Sequence, residues 1–266
     1  MRPKRSLGQN FLSDDSAARR IAESLELRED DVVLEIGAGK GALTGHLLDR
    51  ADRILAVEID VRLCRHLQKR FHGRENLSVI NEDILKIDFR DVIKPGTNVK
   101  VVGNLPYQIT SPVLSLLLEN RESVSLCVLM VQKEVALRIC ALPGNKDWSP
   151  LSIAVQLYSE ARVLFHLKPE SFYPSPKVDS SVIRVVFLAG PRVVVPDEEL
   201  FFKVVRSAFS QRRKMVLNSL AANLDLPKSA MEVILNKAGI DPRLRAEALG
   251  LNEFADLASA MREILK

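Results

Sequence analysis

The 266-residue sequence has no apolar run of membrane-spanning length, so no transmembrane helix is expected. Cysteine is scarce. Cys64, Cys127 and Cys140 are odd in number, contain no C-x-x-C pair and have no histidine cluster beside them. A disulfide framework and a metal site are therefore not expected, and a reducing compartment is. The basic opening, Met1 to Arg5, leads into polar Gly8-Gln9-Asn10 and acidic Asp14-Asp15 rather than an apolar core, so it does not read as a secretory signal; a soluble cytoplasmic protein is expected. Internal repeats and low-complexity segments are also missing. The charge excess is modest, +4 at neutral pH. It matters only where it clusters: Arg2, Lys4 and Arg5 precede any acid, and Gln211-Arg-Arg-Lys214 falls on a predicted helix. A polyanion partner is favoured, with a solvated basic face as the ordinary alternative.

What is present is concentrated between Asp31 and Gly41, where an apolar run ends in three glycines at alternate positions, Gly37, Gly39 and Gly41. Glycine there permits positive φ and lets backbone N–H groups approach a ligand that a Cβ would hold off. Glu35 ahead of the glycines argues against a phosphate ligand, and Gly41 is followed by Ala42 rather than the Lys-Ser/Thr of a P-loop. Glu58 closes the next apolar run, where a ribose-binding carboxylate belongs in a doubly wound sheet. The pattern fits an adenosine-bearing cofactor. A glycine turn alone also suits simple helix-on-sheet packing, or a dinucleotide-dependent oxidoreductase.

Short β-rich runs alternate with helical patterns to about residue 190, predicting a mostly parallel sheet covered by helices. Seven strands are expected, near Val32–Ile36, Arg53–Glu58, Ser78–Asn81, Lys100–Gly103, Ser125–Gln132, Ala161–Lys168 and Val182–Leu188. Between the last two, Pro169 to Lys177 carries three prolines and reads as a rigid loop. Beyond Gly190-Pro191 the pattern is helical, starting well at Pro196-Asp-Glu-Glu199 and broken at Pro227 and Pro242. The expected division is an α/β domain over 1–190 and a small all-α domain over 191–266.

Ligands of open α/β sheets sit at the strands' carboxyl ends. There the sequence places Gly37, Glu58, Asp83 and Asn104-Leu105-Pro106-Tyr107. Ionised Asp83 can accept a hydrogen bond from a purine amine, though a carboxylate at that point equally suits helix N-capping. Asn104 offers a side-chain carbonyl, Pro106 fixes the chain so that the Leu105 carbonyl can face a pocket, and Tyr107 adds an aromatic face; Asn-x-Pro is also a plain turn signal.

Six motifs in order, Lys4 to Leu12, Glu35 to Gly41 with Leu43-Thr44, Glu58 with Asp60, Asp83, Asn104 to Tyr107, and Phe172 to Ser180, followed by Arg212-Arg-Lys214, make the chain resemble the small-subunit ribosomal RNA adenine N6,N6-dimethyltransferases of the KsgA type over nearly its whole length. The resemblance implies a Rossmann-like class I methyltransferase fold, S-adenosylmethionine as methyl donor, and two neighbouring adenines near the 3′ end of small-subunit (16S) rRNA, within immature 30S particles, as acceptors. It implies donor contacts at Gln9, Asn10, Leu12, Gly37, Gly39, Glu58, Asp83 and Asn104. It also implies that the acceptor base is held by Asn104, Leu105, Pro106, Tyr107 and an aromatic that maps to Phe172, with Tyr173 directly following. RNA contacts are expected from Arg2, Lys4, Arg5, Lys177, Arg212, Arg213 and Lys214, no metal is implied, and the working form is expected to be a monomer. Two alternatives stay open: the related large-subunit adenine methyltransferase, and a ribosome-assembly factor for which methylation is incidental.

Overall fold

The computed structural model describes residues 3–4, 7–93, 97 and 99–264. Arg2 and Arg5, two of the expected RNA contacts, lie outside the described residues. The chain forms two compact units, one of residues up to Ala136 together with Glu160–Phe187, the other of Leu137–Ser159 together with the residues from Leu188 onward.

The first unit is built on a seven-stranded sheet of order β4-β3-β2-β5-β6-β9-β7. Its strands are β2 (Val32–Ile36), β3 (Arg53–Val57), β4 (Leu77–Ile80), β5 (Val99–Asn104), β6 (Val124–Gln132), β7 (Ser159–Leu167) and β9 (Ser180–Phe187). β2 to β6 are paired in parallel, whereas β9 runs antiparallel to β6. The seven expected strands are these seven, with ends shifted by a residue or two. Val33, Leu34, Val101 and Val102 are fully buried, as continuous apolar strands between two helical layers must be. One face carries α1 (Asp15–Glu23), whose Ala17, Ala18, Ile21 and Ala22 pack with Val33, Ile54, Val102 and Met130. Asp14 caps α1 by accepting the Ala17 N–H at 3.0 Å.

Chain order sets where a ligand can sit. Strands β2, β3 and β4 step outward, and β5 then returns to the other side of β2. The connections leaving β2 and β5 therefore run to opposite sides, opening a crevice beyond Ile36-Gly37 and Gly103-Asn104. Gly103 stands opposite Ile36, and a Cβ on it would lie 2.7 Å from the Ile36 carbonyl oxygen. Backbone cannot give way as a side chain does. Gly103→Ala is expected to lower stability by about 1–3 kcal/mol and to weaken donor binding with it, measured by the urea midpoint and by titration; an unchanged midpoint would show that the close approach is unimportant.

Sequence patterning missed a second, two-stranded sheet. β1 (Phe11–Leu12) pairs antiparallel with β8 (Phe172–Tyr173), Phe11 opposite Tyr173 and Leu12 opposite Phe172. The proline-rich segment read as a rigid loop thus contains a short strand that anchors residues near the start of the chain.

The second unit is helical: α2 (Pro150–Tyr158), α3 (Glu198–Phe209), α4 (Val216–Leu224), α5 (Lys228–Lys237) and α6 (Leu251–Ile264). Leu137–Ser159 belongs to it, although the sequence places that stretch in the first domain. The reason lies in contacts far apart in sequence: the Trp148 indole N–H donates to the Leu249 carbonyl at 2.8 Å and the Gly144 N–H to that of Glu247 at 2.7 Å. Asp197 caps α3 through the Leu200 N–H, the start expected from Pro196-Asp-Glu-Glu199. The sequence puts Arg212-Arg213-Lys214 on a helix; the run instead occupies the turn between α3 and α4.

Candidate active site

The crevice at the carboxyl edge of the sheet is a cleft of about 400 Å³, within the range that encloses a small-molecule ligand. Its floor is the glycine turn. Gly37 has φ +70°, where any side chain would be strained, and its N–H donates to the Val57 carbonyl at 2.8 Å, binding the turn to the end of β3.

At the end of β3, the Glu58 carboxylate accepts the Gly39 N–H on one oxygen and the Asp60 N–H on the other, each at 2.9 Å. Two backbone donors fix its orientation and leave further lone pairs for ligand hydroxyls. Burial pushes its pKa above the ordinary glutamate value, partly offset by those N–H groups. The Asn81 amide donates to the carbonyls of Glu58 and Ile59, so the third strand's end braces the second. Ile59, 49% exposed, and Ile84 line the same wall. Neither was singled out from sequence; the signal available was an apolar residue following the strand-end acid. Asp83 lines the cleft while its Oδ1 accepts the Leu85 N–H at 3.1 Å. The N-capping alternative is therefore real, yet an ionised carboxylate retains capacity for a second donor.

At the end of β5, the Asn104 amide nitrogen donates to the Asn10 carbonyl at 2.8 Å. A carbonyl only accepts, so this contact fixes which way the amide is turned and leaves Asn104 Oδ1 as an acceptor in the cleft wall. The same bond lays residues 7–11 along the cleft, with Gln9, Asn10 and Phe11 in its lining. Leu105 follows, its N–H donating to Met130, and Pro106 has no N–H to return. The Tyr107 hydroxyl shares a hydrogen bond with Ser180 at 2.9 Å; burial raises its pKa further, keeping it protonated.

Most of the residues expected to meet the donor (Gln9, Asn10, Gly37, Gly39, Glu58, Asp83 and Asn104) come together here with Leu105, Pro106 and Tyr107, expected to hold the acceptor base. Others do not. Leu12 is buried in the core and its lining position is on a neighbouring cleft. Phe172, the ring expected to stack on the acceptor base, is only 3% exposed and packs in the same core, whereas Tyr173 beside it is 61% exposed; successive residues of β8 face opposite ways, and pairing with Leu12 turns Phe172 inward. Lys4, expected to meet RNA, pairs with the buried Asp60 at 3.3 Å, which also takes the Arg62 guanidinium. Arg212 pairs with Glu247 at 3.8 Å and donates to the Lys146 carbonyl. Lys177, Arg213 and Lys214 are exposed. Among the described residues no cluster of histidine, cysteine and carboxylate could hold a metal ion, and no helix is long and apolar enough to cross a membrane.

Glu35 is not in the cleft. It is 1% exposed beneath the turn and accepts the Thr44 hydroxyl at 2.6 Å. Burial raises its pKa from 4.5 to about 7. The folded state thus holds a proton that the unfolded chain releases above pH 4.5, so this group lowers stability as pH rises from 4.5 to about 7 and by a constant amount beyond. Glu35→Gln should abolish that slope, matching wild type near pH 4.5 and exceeding it by roughly 1–3 kcal/mol at pH 8. Parallel stability–pH curves would show Glu35 to be ionised at no cost.

The sheet order, the glycine turn and the strand-end carboxylates define a class I methyltransferase fold. A family model described as ribosomal RNA adenine dimethylase matches residues 1–263. The chain is 43% identical over 265 residues to the ribosomal RNA small subunit methyltransferase A of Alkaliphilus oremlandii, covering 98% of this chain and 92% of that protein. It is 44% identical to that of Moorella thermoacetica, covering 98% and 93%. Among solved structures, a dimethyladenosine transferase from Plasmodium falciparum aligns with a TM-score of 0.79 at 27% identity over 95% of this chain and 98% of that one. The 23S rRNA methyltransferase ErmE aligns at 0.75 and 30%, over 95% and 100%. The chain belongs to the ribosomal RNA adenine dimethylase family.

Proposed function

We propose that this protein transfers methyl groups from S-adenosylmethionine to the N6 amines of two neighbouring adenines near the 3′ end of small-subunit rRNA, acting as a monomer in the cytoplasm on immature 30S particles. The observation that carries this reading is Asn104: its nitrogen is committed to Asn10, so its oxygen is the acceptor offered beside the glycine turn. The curated relatives at 43–44% identity bear small-subunit names, which favours that subunit over the large one.

The residues present fit the donor. Gly37 and Gly39 admit its amino-acid part, Glu58 can accept from both ribose hydroxyls, Asp83 from the adenine amine, and Gln9 and Asn10 close the near side. When bound, S-adenosylmethionine supplies an electrophilic methyl on a sulfonium.

The acceptor amine is a poor nucleophile because its lone pair is delocalised into the purine. Asn104 Oδ1 and the Leu105 carbonyl, which takes no hydrogen bond from the described residues, can receive its two N–H bonds and draw the nitrogen toward a tetrahedral shape. Tyr107 can grip the base by stacking, worth about 1–3 kcal/mol. The alkylated nitrogen is acidic and loses its proton to water, so no histidine is required. A base within folded RNA must leave its stack to reach this cleft, at a cost of a few kcal/mol. Arg213 and Lys214 in the helical unit and Lys177 in the methyltransferase unit suit phosphate contacts.

Primer-extension mapping on unmethylated small and large subunits treated with the protein tests the assignment. Two adjacent stops near the 3′ end of the small-subunit RNA are expected; stops only in large-subunit RNA would overturn it.

A further inference from the structure

A second cleft of about 480 Å³ adjoins the first within the methyltransferase unit. Its lining includes Phe11, Asp15, Lys40, His46, Arg70 and Tyr173. Residues 7–11 line the donor cleft and residues 11–15 line this one, so Phe11 belongs to both. We propose that the second cleft seats the ribonucleotide next to the target adenine, with Lys40 and Arg70 on its phosphate and Tyr173 against its base.

Charge and shape both point to that occupant. The Lys40 ammonium stands 4.6 Å from the centre of the Phe11 ring and 5.8 Å from that of Tyr173. The Arg70 guanidinium donates to the Lys40 carbonyl at 2.6 Å, which ties the two cations to one spot at the glycine turn. Neither meets a carboxylate among the described residues. The acids of the cleft are already engaged: Asp14 accepts from the Ala17 N–H and the Ser16 hydroxyl, and Asp15 pairs with His46 at 2.8 Å and Arg19 at 4.0 Å. The His66 pKa is lowered chiefly by burial and further by nearby positive charges that include Arg70 and Lys40. Tyr173 is 61% exposed, yet its backbone is held opposite Phe11 in the two-stranded sheet. Two cations with no carboxylate partner among the described residues, beside an exposed aromatic ring on a held backbone, are what a single-stranded nucleotide needs, phosphate on one side and base on the other.

This inference rests on the proposed substrate: when two target bases are neighbours, one must be accommodated while the other is in the donor cleft. The test uses the full chain, unmethylated small subunits and S-adenosylhomocysteine. The double variant Lys40→Gln, Arg70→Gln is expected to raise KM for the particles about tenfold and to reduce the salt slope of log KM by about 1–2, with kcat and S-adenosylhomocysteine affinity within twofold of wild type. Tyr173→Ala should raise KM about five- to tenfold, and Tyr173→Phe, which keeps the ring, should restore it. Wild-type KM and salt slope in both the double variant and Tyr173→Ala would overturn the proposal. So would loss of S-adenosylhomocysteine affinity in the double variant, which would assign the two cations to the donor. Wild-type protein that leaves small-subunit RNA unmethylated would overturn the substrate reading, and this inference with it.

Discussion

Replacing Asn104 by alanine is expected to lower kcat for methyl transfer by about 10²–10³-fold while leaving the fold and particle binding in place. In the proposed mechanism the substitution removes the acceptor that orients the attacking amine, and losing one preorganised hydrogen-bonding group of this kind costs on that order. It also removes the donor that holds Asn10, so residues 7–11 lose their tie to β5 and S-adenosylhomocysteine affinity should fall by a smaller factor. Asn104→Asp separates the two roles: it keeps an oxygen but brings a carboxylate against the Asn10 carbonyl, and should bind donor poorly. Single-turnover methylation beside equilibrium binding reads both. A kcat for Asn104→Ala within threefold of wild type would remove Asn104 from the chemistry.

Glu58→Ala is expected to weaken S-adenosylmethionine binding by 10²-fold or more. Hydrogen bonds to a charged acceptor contribute about 1.5–3 kcal/mol each, and each 1.4 kcal/mol is tenfold in affinity. The Gly39 and Asp60 N–H groups would lose their acceptor as well, loosening the glycine turn. Because burial raises the Glu58 pKa, protonation reaches it at a higher pH than it would a solvated glutamate, and donor affinity should fall as pH is lowered toward that range. Calorimetric titration checks both statements; an unchanged Kd in Glu58→Ala would place the ribose elsewhere.

The cleft assigned to the donor was legible in the sequence because it is built from strand ends. An apolar run closing in Gly37, another in Glu58 and a third in Asn104 are local patterns, and parallel pairing brings local patterns to one edge without further information. What was not legible depends on contacts between distant segments. Residues 11–12 and 172–173 are too short to show strand periodicity, and only their pairing decides that Phe172 enters the core while Tyr173 faces outward. Lys4 looks like a free cation until the fold brings it to buried Asp60, and Arg212 until it brings Glu247. Leu137–Ser159 follows β6 and precedes β7, so chain order assigns it to the sheet, while the Trp148 bond to Leu249 places it with the helices. Glu35 reads as an acid at the ligand, but alternation along β2 sends it under the turn to Thr44.

A crystal structure of the protein with S-adenosylhomocysteine tests the central claim most directly. The ribose is expected on Glu58, the adenine amine at Asp83, and the sulfur facing Asn104 across the glycine turn. Ligand bound at another edge of the sheet, or residues 7–11 occupying the donor cleft at saturating ligand, would contradict it.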